Sequence, residues 1–362
     1  MYSKLKGNII MLLFLCYYFI QNFIILVIIE RFPFLTGDIT TLNIINQLTM
    51  FLIPIGIYII IKKRDIRELF AINTLGLKNI LFIVIITFLL QPVTMVINGV
   101  ITLFYPNFAA DYVSSMTNSP LWYMILSIAV MPAICEELMF RGVIFSEFRN
   151  ENKTMVLLFP ALYFGIMHLT INQFFYATFL GIVFAYFIIK TKSIFAGMVA
   201  HFVLNASQVV MLHFVTEIPG AEAIEEIPIN GLVQVSSAVI AIIFWSVVAG
   251  ILSPILYILI KKFNNLNKKN QDSPIFRTPM KNIDTAFELA GEEDIIEGPA
   301  AEGTFVYKGN DTDDTGFGVL LPQQEILATQ KSKSKEDFWF IITFIVICLI
   351  FISITTLTNT IS

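Results

Sequence analysis

Nine stretches of roughly twenty mostly apolar residues run through this chain, and they constrain its fold more than any other feature. They lie at about 8–29, 41–61, 79–104, 119–148, 154–170, 172–190, 193–214, 234–260 and 338–358. Each is near the length a helix needs to cross the hydrocarbon core of a bilayer. Composition agrees, since 56% of the 362 residues are hydrophobic and only 14% are charged, against about 25% charged in a soluble domain. The expected fold class is an all-α polytopic membrane protein of about nine transmembrane helices, with a small cytoplasmic insertion. The short fifth and sixth stretches can equally be tilted, buried helices at the centre. The first stretch is longer than a signal-peptide core and no small-x-small cleavage site follows it, so it reads as a retained span.

Lys and Arg cluster at alternate connections. Lys62, Lys63, Arg64, Arg67 and Lys78 mark one, Arg149 and Lys153 the next, then Lys190 with Lys192, then Lys261, Lys262, Lys268 and Lys269. By the positive-inside rule these connections face the cytoplasm, which puts the N-terminus inside. The expected organisation is N-terminal helices over 1–114, a core over 115–215, an outer loop and eighth helix over 216–269, a polar insertion over 270–336 and a last helix over 337–362. The insertion reads as disordered linker or as a small β module in which Thr304–Tyr307 and Gly318–Leu321 are strands. It offers no phosphate loop and no basic nucleic-acid face. The cysteines, Cys16, Cys135 and Cys348, are far apart in apolar runs and lack zinc-finger spacing.

Against this apolar background Glu136 and Glu137 stand side by side in the fourth stretch. A charge at the bilayer centre costs roughly 2.5–3.5 kcal/mol on insertion scales, so intramembrane acids point to function. Glu137 and Arg141 are four residues apart and can pair on one helix face. Glu136 is turned about 100° away and is left without that cation. His168, His201 and Asn205 occupy later stretches. At 1.5 Å per residue, Glu136, His168 and Asn205 lie about 20 Å from the cation-marked ends of their helices and His201 about 14 Å. One carboxylate, two imidazoles and a carboxamide are thus expected around a single hydrated pocket. A carboxylate beside an imidazole can deprotonate water, or hold a metal that does so. The other groups can donate to a developing oxyanion. His213, near the outer boundary, reads as a helix–helix hydrogen-bonding residue.

Glu136-Glu-Leu-Met-Phe-Arg141, Phe164-Gly-Ile-Met-His168 and His201-Phe-Val-Leu-Asn205 resemble, in order, the three motifs of the CAAX-protease and bacteriocin-processing family, intramembrane endopeptidases similar to the Ras-converting enzyme. The resemblance covers about 115–215 and implies a conical helix-bundle protease core. It implies Glu136 as water-activating base with His168 its partner, and His201 with Asn205 as the oxyanion pair. Glu137 and Arg141 are then support, and Phe164 either walls the pocket or merely packs. Metal use stays open: HExxH is absent, and if Zn2+ is bound, Glu136, His168 and His201 are its expected ligands. The implied substrate is a peptide or protein in a bacterial inner membrane, cut within or near the cytoplasmic leaflet. The alternative is a non-enzymatic immunity or scaffold protein that binds a peptide or membrane partner. An ion-coupled transporter is the weaker third reading, for want of inverted repeats.

Overall fold

The computed structural model describes residues 3–32, 38–63, 65–105, 107, 112–148, 153–216, 231–270, 295–296, 306–308, 317–319, 340, 342–344 and 346–347. Its helices are α1 (Ser3–Arg31), α2 (Ile39–Lys62), the short α3 (Ile66–Leu69), α4 (Leu77–Thr102), α5 (Leu121–Phe148), α6 (Lys153–Met167), α7 (Ile171–Thr191), α8 (Ile194–Thr216) and α9 (Gly231–Leu266). Among the described residues seven helices are long and apolar enough to cross a membrane. The protein is an all-α polytopic membrane protein. The fifth apolar stretch forms α6, whose 15 residues span about 22 Å; it falls short of the hydrocarbon thickness. Most of the ninth stretch lies outside the described residues.

Local chemistry sets the helix limits. Asp38 caps α2 by accepting from the Thr40 N–H at 3.0 Å, and Lys63 ends it in the left-handed region. Thr170 caps α7 in the same way for Gln173, and Lys192 closes it at φ 59°. Three short strands, β1 (Ile295–Ile296), β2 (Val306–Lys308) and β3 (Phe317–Val319), pair antiparallel in chain order, with Tyr307 opposite both Ile295 and Gly318. β2 and β3 overlap the two strand segments expected in the insertion, and β1 is additional to them.

Two polar clasps fix the ends of the bundle. At the lysine-rich end Asn73 donates to the Lys192 carbonyl at 2.6 Å, Ser193 to the Asn73 carbonyl at 2.6 Å, and Asn267 to Asn79 at 2.8 Å. At the other end Thr40 meets Ser119 at 2.7 Å, Asn43 donates to Ser127 at 2.9 Å, and Asn172 donates to Thr102 at 2.9 Å. Between them α5 is the most buried long helix. It packs against α2 and α8, and α6 lies against α7.

α5 is not a uniform α-helix. Its α-helical turns at Met131–Glu137 are flanked by π-helical segments, Leu126–Val130 and Leu138–Ile144. Such segments are rare, are often found at functional sites, and rotate the side chains beyond them off the ordinary helical face. Pro132 lies at the first junction and has no N–H for the Ile128 carbonyl four residues back. That carbonyl accepts instead from Asn205 Nδ2 of α8 at 2.9 Å.

Candidate active site

Glu137 is fully buried and Arg141 nearly so. An isolated charge there is prohibitive, so each group needs partners. Glu137 Oε1 accepts from Arg141 Nη1 at 2.9 Å, the i,i+4 pairing expected, and also bonds His201 Nδ1 at 3.0 Å. The Arg141 guanidinium donates further to the Gly181 carbonyl at 3.3 Å and lies 4.4 Å from the centre of the Phe164 ring and 5.5 Å from that of Phe184. Cation–π contact of this kind offsets part of the desolvation penalty. Glu137 therefore does more than hold its own helix: it orients an imidazole on α8.

With Nδ1 given to Glu137, His201 presents Nε2 toward Glu136, whose Oε2 is 3.9 Å away. That separation is too long for a direct hydrogen bond, and it lets a small polar group sit against both atoms. The His201 ring stacks on Phe184 at 5.1 Å and meets the edge of Phe164 at 5.8 Å. Phe164 also touches His168 edge-on at 5.2 Å. One aromatic ring thus spaces Arg141 and both imidazoles, so Phe164 both packs and walls the pocket.

Glu136, Phe164, His168, His201 and Asn205 all line one cavity of about 740 Å³. The imidazole within 4 Å of Glu136 is that of His201, and His168 reaches the cavity from the turn that follows α6. One N–H of Asn205 is engaged by the Ile128 carbonyl, which leaves the other. Among the described residues no three His, Cys, Asp or Glu side chains are grouped as metal ligands. The set Glu136, His168 and His201 does not converge in that way.

From this floor the cavity runs between α2, α4, α7 and α8 to Asn107 and the Tyr112–Ser114 segment. That is the end opposite the lysine-rich clasp. The cation-marked halves of α5 and α7 are packed with Phe140, Phe145, Phe148 and Phe187, and this cavity lies in the other half.

Sequence reasoning did not single out several residues of this arrangement. Gly197 lies against Glu137, where a Cβ would be 2.6 Å from Oε2. Gly181 supplies the carbonyl for Arg141. Tyr176 of α7 lines the cavity and accepts from Gln173 at 3.3 Å. Asn43, Asn46 and Gln47 form part of the far wall; their i, i+3, i+4 spacing in an apolar helix was a readable sign of a polar face.

A polytopic helical membrane protein with two buried acids, two imidazoles and a carboxamide about one intramembrane cavity defines the class. Residues 118–207 match the family model described as Rce1-like, type II CAAX prenyl endopeptidase Rce1-like, a segment that includes every one of these groups. The match supports a CAAX-protease and bacteriocin-processing family intramembrane protease and, at family level, an intramembrane CAAX-type endopeptidase. Neither the curated proteins nor the solved structures yielded a match.

Proposed function

We propose that this protein hydrolyses peptide bonds of a membrane-associated or peptide substrate with water activated by Glu136. The reading is carried by the 3.9 Å approach of His201 Nε2 to Glu136 Oε2 on the floor of a cavity that His168 and Asn205 also line. Glu136 takes a proton from water as its oxygen attacks the carbonyl carbon. The oxyanion that forms is met by N–H donors from His168 and from the unengaged amide hydrogen of Asn205. Glu136 hands that proton to Nε2 of His201, which Glu137 holds in the Nδ1–H tautomer, and His201 gives it to the leaving nitrogen as the C–N bond breaks, releasing an acid and an amine and restoring the neutral ring. Glu137 and Arg141 act through His201, as a carboxylate positions the imidazole of a catalytic triad. No step is routed through a metal.

The cation-rich end is assigned to the cytoplasm of a bacterial inner membrane by the positive-inside rule, with the N-terminus inside. The cavity then faces the outer leaflet.

The decisive experiment reconstitutes the protein in proteoliposomes with a pool of dye-labelled peptides. Glu136→Gln and His168→Ala are each expected to abolish cleavage while leaving expression and thermal unfolding unchanged. Retained cleavage in either variant overturns the mechanism. If the wild type binds peptides and never cuts them, the protein is the immunity or scaffold partner instead.

A further inference from the structure

α6 is too short to reach across the hydrocarbon, so the turn that joins it to α7, His168–Thr170, lies at membrane depth. Backbone that leaves a helix there is tolerated only where it is buried in protein or lines a hydrated cavity. Leu169 makes this turn at φ 54°, a left-handed conformation that leucine seldom adopts and that persists only where its surroundings dictate it, often at active sites. His168, the residue before it, lines the cavity.

The first residues of α7 then form a relay. Thr170, the N-cap, accepts the Gln173 N–H at 3.3 Å, and its own hydroxyl donates to Gln173 Oε1 at 3.1 Å. The pattern is a capping box of the Thr-x-x-Gln kind, closed here through the threonine hydroxyl. With its amide oxygen held in this way, Gln173 directs Nε2 to the next turn and donates to the Tyr176 hydroxyl oxygen at 3.3 Å. A phenol oxygen that accepts one bond keeps its hydrogen to give. No described residue accepts that hydrogen, and Tyr176 lines the same cavity as Glu136 and His168.

Two close approaches fix the height of this donor. A Cβ on Gly181 would be 3.0 Å from Ala161, and one on Gly165 would run into Thr178 Oγ1 and the Phe174 carbonyl. α6 and α7 therefore run antiparallel in contact, with Ala161 level with Gly181 and Gly165 level with the turn between Phe174 and Thr178. Tyr176 then lies between the levels of Phe164 and His168, within about 5 Å of each along the helix axis. Helical side chains lean toward the N-terminus of their helix, which carries the Tyr176 hydroxyl toward the layer of His168.

We propose that Tyr176 is a further catalytic residue, whose hydroxyl donates to the carbonyl oxygen under attack beside His168 and Asn205, and that Thr170 and Gln173 are positioning residues that aim it. An oxyanion can accept three hydrogen bonds, and a donor already fixed in place needs no reorganisation when the charge develops. The hydrogen stays on the phenol throughout, so the proton path through Glu136 and His201 is unaltered. The inference rests on the protease reading.

The test uses the full chain in proteoliposomes and the dye-labelled peptide that the wild type cuts fastest. Tyr176→Phe keeps the ring and removes only the hydroxyl. Its kcat is expected to fall about 10²-fold with KM and Tm unchanged, the low end for loss of one oxyanion donor. Gln173→Met is expected to lower kcat about three- to tenfold, as loss of one aiming hydrogen bond predicts, and to cost nothing further in the Tyr176→Phe background. In Glu136→Gln protein, expected to bind without cutting, adding Tyr176→Phe should leave peptide affinity within about twofold, because the bond strengthens only in the transition state. Wild-type kcat in Tyr176→Phe, a raised KM with kcat kept, a kcat loss that tracks a fall in Tm, or additive losses in the double variant would overturn the inference and leave the protease reading standing. A wild type that cuts no peptide of the pool would overturn both.

Discussion

Replacing Gly197 by alanine would press a methyl group onto the carboxylate that orients His201. The new Cβ would be 2.6 Å from Glu137 Oε2 and 2.7 Å from Ile188 Cδ1, where ordinary contact begins at 3.4 Å. Ile188 can rotate away, but the Glu137 carboxylate is pinned through Oε1, which bonds both Arg141 and His201 at 2.9 and 3.0 Å. A retreat of Oε2 by about 0.8 Å turns or shifts the carboxylate against these two bonds, each worth about 1.5–3 kcal/mol when a charge is involved. With overpacking of about 1–3 kcal/mol, the net destabilisation is expected at about 2–4 kcal/mol, even though alanine is the better helix former by about 1 kcal/mol. A misplaced His201 is expected to slow cleavage about 10²-fold, since shifts near 1 Å at a reacting group have that effect. The assays are thermal unfolding in detergent and kcat in proteoliposomes, for G197A, E137Q and the double variant. The loss on adding G197A should be much smaller when Glu137 is already neutral. Unchanged Tm and kcat in G197A, or strictly additive losses in the double variant, would refute the reasoning.

Further outcomes follow from the same contacts. Asn205→Leu leaves the Ile128 carbonyl without its partner and is expected to destabilise the protein by about 1–3 kcal/mol. In a Pro132→Ala background the restored N–H can bond that carbonyl, so the Asn205→Leu loss of Tm should shrink; an equal loss in both backgrounds would show that the cap is immaterial. If cleavage stays low after that rescue, Asn205 also serves the oxyanion. Chelators are expected to leave activity unchanged, measured alongside elemental analysis of the purified protein, and a loss restored by Zn2+ would overturn the metal-free scheme. At the far end of the bundle, the Thr41 hydroxyl holds the Asp38 carboxyl below its ordinary value of 3.8, with backbone N–H groups assisting. A depressed folded value means its stabilisation is complete above that pH and fades as the pH falls through the folded value. Asp38→Asn should therefore flatten the acid limb of Tm below about pH 4.

Much of the site could be read from spacing alone. Three polar groups at one depth on separate helices, plus the i,i+4 pair of Glu137 and Arg141, brought the right helices together in the sequence. Depth, however, has no azimuth. The resemblance paired Glu136 with His168, while the imidazole within 4 Å of it is that of His201; depth alone chooses neither. The π-helical segments on both sides of Met131–Glu137 leave no pattern in hydrophobicity, so they were invisible. The direction of the cavity along the bundle was not legible for a different reason. Distances counted from lysines locate a layer but do not say which side of it is filled with phenylalanine. The all-α polytopic class was legible because twenty apolar residues have few alternatives, but nine stretches give seven spans among the described residues: the fifth forms the short α6, the sixth the full-length α7, and most of the ninth lies outside the described residues.

Two rungs join α5 to α8, one from Asn205 to Ile128 above Pro132 and one from His201 to Glu137 below it. A pair of struts at different heights resists both sliding and rotation, so the acid and its imidazole are mechanical ground. Whatever breathing admits and releases a guest must come from the opposite bank, where α1, α2 and α4 meet the space through neutral groups alone among the described residues. Spin labels bridging α5 and α8 should report one narrow distance throughout turnover, and labels bridging α2 and α8 should report a spread that the guest narrows.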